Sequence, residues 1–157
     1  MPSSRKNSCS AVPLEDRIFV ALLKAADVLG QEVEKWLKSE GLTSAQYNVL
    51  RILRGAEPDG LPCRGIGDAM ISRDPDITRL LDRMENQELI TRERQTDDRR
   101  VVKTRVTAKG LGLLKNLDAP VREMHKRQFQ HMTPAQLNNL VDLLEALDLR
   151  EEDLVRA

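Results

Sequence analysis

Apolar residues recur at steps of three and four along the first quarter of the chain: Leu14, Ile18, Leu22, Ala25, Leu29, Val33, Trp36 and Leu37. That is the stripe of one long amphipathic helix, and Gly41 stops it. Thr43 with Gln46 three residues on forms a capping box, after which Tyr47, Leu50 and Leu53 supply the buried side of a second helix ending near Arg54. From Leu61 to Met70 the pattern weakens. Pro62 suits the opening of a helix, but Gly65 and Gly67 each cost about 1 kcal/mol relative to alanine, so a short, soft helix is expected there. Asp74 as cap and Pro75 as first residue then open a fourth helix, with Ile77, Leu80, Leu81 and Met84 as one apolar stripe through about Glu88.

Beyond this helix the period shortens. "LITRERQ" alternates loosely, "TDD" turns the chain, and "RRVVKTRVT" interleaves β-branched and basic residues, which together predict a two-stranded hairpin. Thr107 can cap a helix with Leu111, Leu114, Leu117, Val121 and Met124 on one side, a pattern that Pro120 bends without ending. A second capping box at Thr133 to Gln136, with Pro134 at the first helical position, opens a last helix carrying Leu137, Leu140, Val141, Leu144 and Leu147.

Composition narrows the class. The 157 residues include 25 basic and 25 acidic side chains and 40% apolar ones, as expected for one folded globular domain, with residues 1–12 as a disordered tail. No apolar run is long enough to span a membrane and the start lacks the apolar core of a signal peptide, so the cytoplasm is the expected compartment. Net neutrality hides a local imbalance: Leu89 to Lys109 holds 7 basic residues against 3 acidic, while Thr133 to Ala157 holds 2 against 6. A basic element of this kind can neutralise phosphates although the whole chain is neutral.

Two short helices followed by a strand pair form the winged helix-turn-helix arrangement, whose second helix enters the DNA major groove while the hairpin reaches an adjacent groove. The fold class is therefore mainly α with a small β element. It comprises a winged-helix lobe over residues 43–109 and terminal helices over 13–40 and 110–157 whose apolar stripes exceed what that lobe can cover, so a homodimer is expected.

Residues Asp76 to Gly110 resemble the MarR family of bacterial transcription regulators. The run Thr78-Arg79-Leu80-Leu81-Asp82-Arg83-Met84-Glu85 matches the family's recognition helix, Leu89-Ile90-Thr91-Arg92 matches its strand, and Asp98, Arg100, Val106, Thr107 and Gly110 meet its wing pattern at every spacing. The chain departs from the pattern at Pro75-Asp76, where a Ser-Thr pair is common, and at the two glycines of the preceding helix. The resemblance implies a ligand-responsive repressor that binds a pseudo-palindromic operator on double-stranded DNA as a homodimer, and small phenolic or lipophilic effectors.

On the recognition helix Asp76, Arg79, Arg83 and Asn86 share the face opposite the apolar stripe. Arg79 is the leading base or phosphate contact, with Thr78 and Arg73 near the helix start. Asp76 either accepts from a cytosine amino group or serves as a capping charge, and Arg83 either faces DNA or pairs with acids on its own helix. In the wing, Arg99 and Arg100 can enter a narrow minor groove, with Arg92, Arg94, Lys103 and Arg105 available to phosphates. Asp98 can orient one guanidinium, as the resemblance implies; the competing reading is an ordinary solvated turn.

Trp36 and Tyr47 are candidates to line an effector pocket, or are simply core. His125 and His131 lie six apart and do not form a metal pair; no metal or cofactor is expected. Cys63, with only Arg64 nearby, and Cys9 in the tail read as inert thiols or redox sensors. No nucleophile with a base, paired catalytic carboxylates or phosphate-binding glycine loop is present, so an enzyme is not expected. The alternative function is a winged-helix interaction module that has lost DNA binding, which the acids Asp74 and Asp76 would favour.

Overall fold

The predicted stop at Gly41 is a Schellman turn. In the computed structural model, which describes residues 12–72, 76–94 and 102–147, helix α1 spans Leu14–Ser39 and Gly41 follows at φ 80°. There the Gly41 N–H donates to Lys38 and the Leu42 N–H to Leu37, satisfying carbonyls that the helix end leaves open. Only glycine enters the left-handed region without a steric cost.

Helix α2 (Ser44–Gly55) carries the full capping box: Thr43 Oγ1 accepts from the Gln46 N–H at 3.2 Å, and Gln46 Oε1 accepts from the Thr43 N–H at 3.0 Å. The sheet that follows has three strands where the sequence predicted two. Strand β1 (Leu61–Pro62) pairs antiparallel with β3 (Val102–Val106), which also pairs with β2 (Ile90–Arg94), giving the order β1-β3-β2. Leu61 lies opposite Thr104, and Ile90 opposite Val106. Two residues cannot show an alternation in sequence, and Pro62 is tolerated because β1 is an edge strand. The preceding turn comes so close that a Cβ on Gly60 (φ 66°) would lie 2.5 Å from the Thr104 carbonyl oxygen.

Helix α3 is shorter than expected, Cys63–Ala69, with Pro62 as its cap residue instead of its first helical residue. Helix α4 also begins later, as Ile77–Asn86. Its cap is Asp76, whose Oδ1 accepts from the Arg79 N–H at 3.3 Å, so the expected opening at Asp74 and Pro75 is corrected; those two residues lie outside the described ones. At the other end the Glu88 N–H donates to Glu85 and the Leu89 N–H to Met84, a second Schellman turn. Here Glu88, at φ 59°, occupies the left-handed position. The helix therefore closes before the predicted limit near Glu88.

The chain divides between Asn116 and Leu117 into two compact units. The core of the first gathers Leu37, Leu50, Leu53, Ile66, Leu80, Leu81, Met84, Ile90 and Leu114, each no more than 2% exposed. Outside that core α1 keeps apolar residues in solvent: Leu14, Ile18, Phe19, Val20, Leu23 and Val28 are each at least 45% exposed. Helix α5 (Ala108–Gln128) starts in this unit, where Thr107 Oγ1 accepts from the Gly110 N–H at 3.0 Å.

In the second unit α5 continues through Pro120 and buries Leu117, Val121 and Met124. The second predicted capping box, Thr133 with Gln136, opens α6 (Pro134–Glu145) with Pro134 in its first turn. Helix α6 buries no residue at all, and Val141, Leu143, Leu144 and Leu147 stand 43–69% exposed.

Candidate nucleic-acid interface

The two faces of α4 divide as its periodicity requires. Leu80, Leu81 and Met84 are buried, while Asp76, Thr78, Arg79, Arg83 and Asn86 are exposed. At the head of the helix one carboxylate has two tasks: besides capping the Arg79 N–H, Asp76 holds the Arg79 guanidinium, Oδ2 to Nε, at 3.1 Å. Of the two readings left open for Asp76, the cap is the one whose hydrogen bond is made. Arg79 is 81% exposed despite this pair, so its other N–H groups face solvent. Arg83 makes no ion pair with another described residue.

The hairpin is joined to this helix by charge. Arg92, on β2, donates from Nε to Glu85 Oε2 at 2.8 Å and from Nη2 to Glu85 Oε2 at 2.5 Å and Asp82 Oδ1 at 2.6 Å. The hydrogen bond to Glu85 raises the guanidinium's pKa further, against the opposing effect of burial, and Asp82 adds to the rise. Arg105, on β3, binds Glu93 Oε2 at 2.9 Å and the Pro58 carbonyl at 3.0 Å. The expectation that Arg92 and Arg105 are available to phosphates is therefore corrected, because Arg92 is engaged by two carboxylates and Arg105 by a carboxylate and a carbonyl. Arg94 and Lys103 make no ion pair with another described residue.

Sequence reasoning missed the Asp82–Arg92–Glu85 bridge, although a signal was present. Ile90 is buried and Thr91 exposed, so strand alternation returns Arg92 to the Ile90 side. Arg73, Asp98, Arg99 and Arg100 lie outside the described residues.

Tyr47 is buried, with the Arg51 guanidinium 5.7 Å from its ring centroid, and Trp36 is half-buried. An open groove of about 470 Å³ is lined by Asn48, Arg51, Ile52, Arg54, Gly55 and Ile71, and so by neither aromatic residue. Cys63 is a half-buried free thiol at the start of α3. Among the described residues no cluster of three metal-ligating side chains occurs, and no helix is long and apolar enough to cross a membrane.

This arrangement of α3, α4 and a β2–β3 wing has close counterparts. The sequence model of the MarR family matches residues 42–102. The crystal structure of a MarR transcription factor from Planctomyces limnophilus is 36% identical, superposes with a TM-score of 0.66, and is matched over 85% of this chain and 97% of that one. The chain belongs to the MarR family. Members of this family are transcription regulators that bind DNA, so this protein is a DNA-binding regulator and not an enzyme.

The chain is also similar to the homoprotocatechuate degradative operon repressor of Escherichia coli, 25% identical over 90% of this chain and 97% of that one. It shares its fold with S. aureus MepR, solved as a complex with DNA, at 21% identity and a TM-score of 0.73 over 82% of this chain and 93% of that one.

Proposed function

We propose that this regulator acts in the cytoplasm as a homodimeric repressor, two copies of α4 reading the half-sites of a pseudo-palindromic operator about one helical turn apart. One observation carries the reading. Asp76 caps α4 and holds Arg79 at its head, on the same exposed face as Arg83 and Asn86, with Thr78 also exposed beside it. A guanidinium oriented there is suited to a bidentate contact with a guanine edge or a phosphate. Arg73 adds charge before the helix. Lys103, with Arg99 and Arg100 oriented by Asp98, forms the wing contact to the neighbouring groove.

Dimerisation is supported by the apolar residues that α1 and α6 each leave in solvent. Response to a small phenolic or lipophilic effector is supported by the similarity to the homoprotocatechuate degradative operon repressor. We assign its contacts to Trp36 on α1 and Tyr47 on α2.

Selection of bound sites from a random duplex library tests the reading. The expected product is an inverted repeat with half-sites about 10 base pairs apart, bound with steep salt dependence from counterion release. Failure to enrich any duplex, or binding indifferent to salt, overturns it.

A further inference from the structure

We propose that Arg92 is a positioning residue: by bridging Asp82 and Glu85 it fixes the wing against the recognition helix so that both reach one DNA site together. The inference rests on the DNA-binding reading of α4 and the hairpin, and it assigns to Arg92 a role other than phosphate contact.

The geometry is specific. Asp82 and Glu85 lie three residues apart, nearly one turn, on the flank of α4, and one guanidinium from β2 engages both through Nε and Nη2. A bond to one turn would set a distance and leave α4 free to roll. Bonds to two positions along the axis, from the planar fork of an arginine, also set the orientation. The Arg92 side chain is only 26% exposed, whereas Arg79 is 81% exposed. Half-withdrawn from water and already donating three hydrogen bonds, Arg92 is poorly placed to meet a phosphate. Holding two elements in their bound relation lowers the ordering that association would otherwise require.

Electrostatics alone predicts the opposite outcome for the acids, and this makes the inference testable. Removing negative charge beside a polyanion should tighten binding; removing it from this bridge should weaken binding, because the wing is released. Anisotropy titrations of the full chain with its selected duplex, at fixed salt, compare the wild type, Glu85→Gln, and Asp82→Asn with Glu85→Gln. The double variant should bind about tenfold more weakly, or about 1.4 kcal/mol, with Glu85→Gln between it and the wild type. The swapped pair Arg92→Glu with Glu85→Arg should recover at least tenfold of the affinity lost by Arg92→Glu alone, and more than Glu85→Arg alone gains in the wild-type background, an excess that added positive charge by itself would not give.

Far-UV circular dichroism establishes that each variant is folded, and Glu85→Gln alone decides the matter should the double variant fail to fold. Carboxamide variants that bind as well as or better than the wild type overturn the inference while the DNA reading stands. A wild-type chain that binds no duplex overturns both.

Discussion

Gly110→Ala and Gly112→Ala, two residues apart in the same helix, should change stability in opposite directions. In α5 alanine is intrinsically the better residue, by about 0.5–1 kcal/mol, because it restricts the unfolded chain and propagates helix. At Gly112 no heavy atom lies within 4 Å of an added Cβ, so the intrinsic gain should appear in full.

At Gly110 the same Cβ would lie 2.5 Å from the Leu89 carbonyl oxygen, 2.8 Å from Val106 Cγ2 and 3.2 Å from Leu50 Cδ2. The two side chains can give way, but the carbonyl cannot move cheaply. It accepts from the Thr107 N–H at 3.1 Å and from Thr107 Oγ1 at 3.1 Å, bonds that tie the hairpin's base to the start of α5. Forcing extra volume into such a site costs roughly 1–3 kcal/mol, so the clash exceeds the helical gain. The expected net effect is a loss of about 1–2 kcal/mol at Gly110, from these two terms, and a gain of up to about 1 kcal/mol at Gly112. Urea unfolding at equal protein concentration reads both, and in a separate thermal melt each kcal/mol should move the midpoint by about 2–4 °C in a domain of this size. A Gly110→Ala protein as stable as the wild type would show that the approach at Leu89 is not what requires glycine there.

Further outcomes follow from the same geometry. Glu88→Gly should stabilise the protein by about 0.5–1 kcal/mol, because a non-glycine residue in the left-handed region costs roughly 1–2 kcal/mol and glycine returns part of that in unfolded-state entropy; the ion pair it gives up, to Lys109 at 3.2 Å, is largely exposed and contributes little. Urea unfolding checks this, and a loss of stability refutes it. Arg79→Ala and Arg100→Ala should each weaken operator binding by about 1–3 kcal/mol, with sedimentation showing an unchanged assembly; unchanged affinity removes that arginine from the interface. Phe19→Asp with Leu144→Asp, which places charge at exposed apolar positions of α1 and α6, should yield monomers by analytical ultracentrifugation, and a variant still dimeric at micromolar concentration refutes dimerisation through α1 and α6.

The helices were legible because their information is local. The stripe of Leu80, Leu81 and Met84, the Gly41 stop and the boxes at Thr43 and Thr133 each depend on residues within one or two turns, and each is found in the structure. The alternation around the hairpin was legible for the same reason, as was the spacing from Asp98 to Gly110 that carried the family resemblance. What was not legible depended on partners far along the chain. Strand β1 exists because residues 61–62 meet Thr104 and Lys103, a pairing no two-residue pattern can announce.

Arg92 reads in sequence as one cation among seven in its basic stretch. Its partners were decided only when α4 and β2 were packed together and brought Asp82 and Glu85 within 3 Å of it. Charge composition determined that a basic element exists. Tertiary structure decided which arginines are engaged internally and which still face solvent, because a guanidinium can be claimed by a carboxylate only where the fold brings the two together.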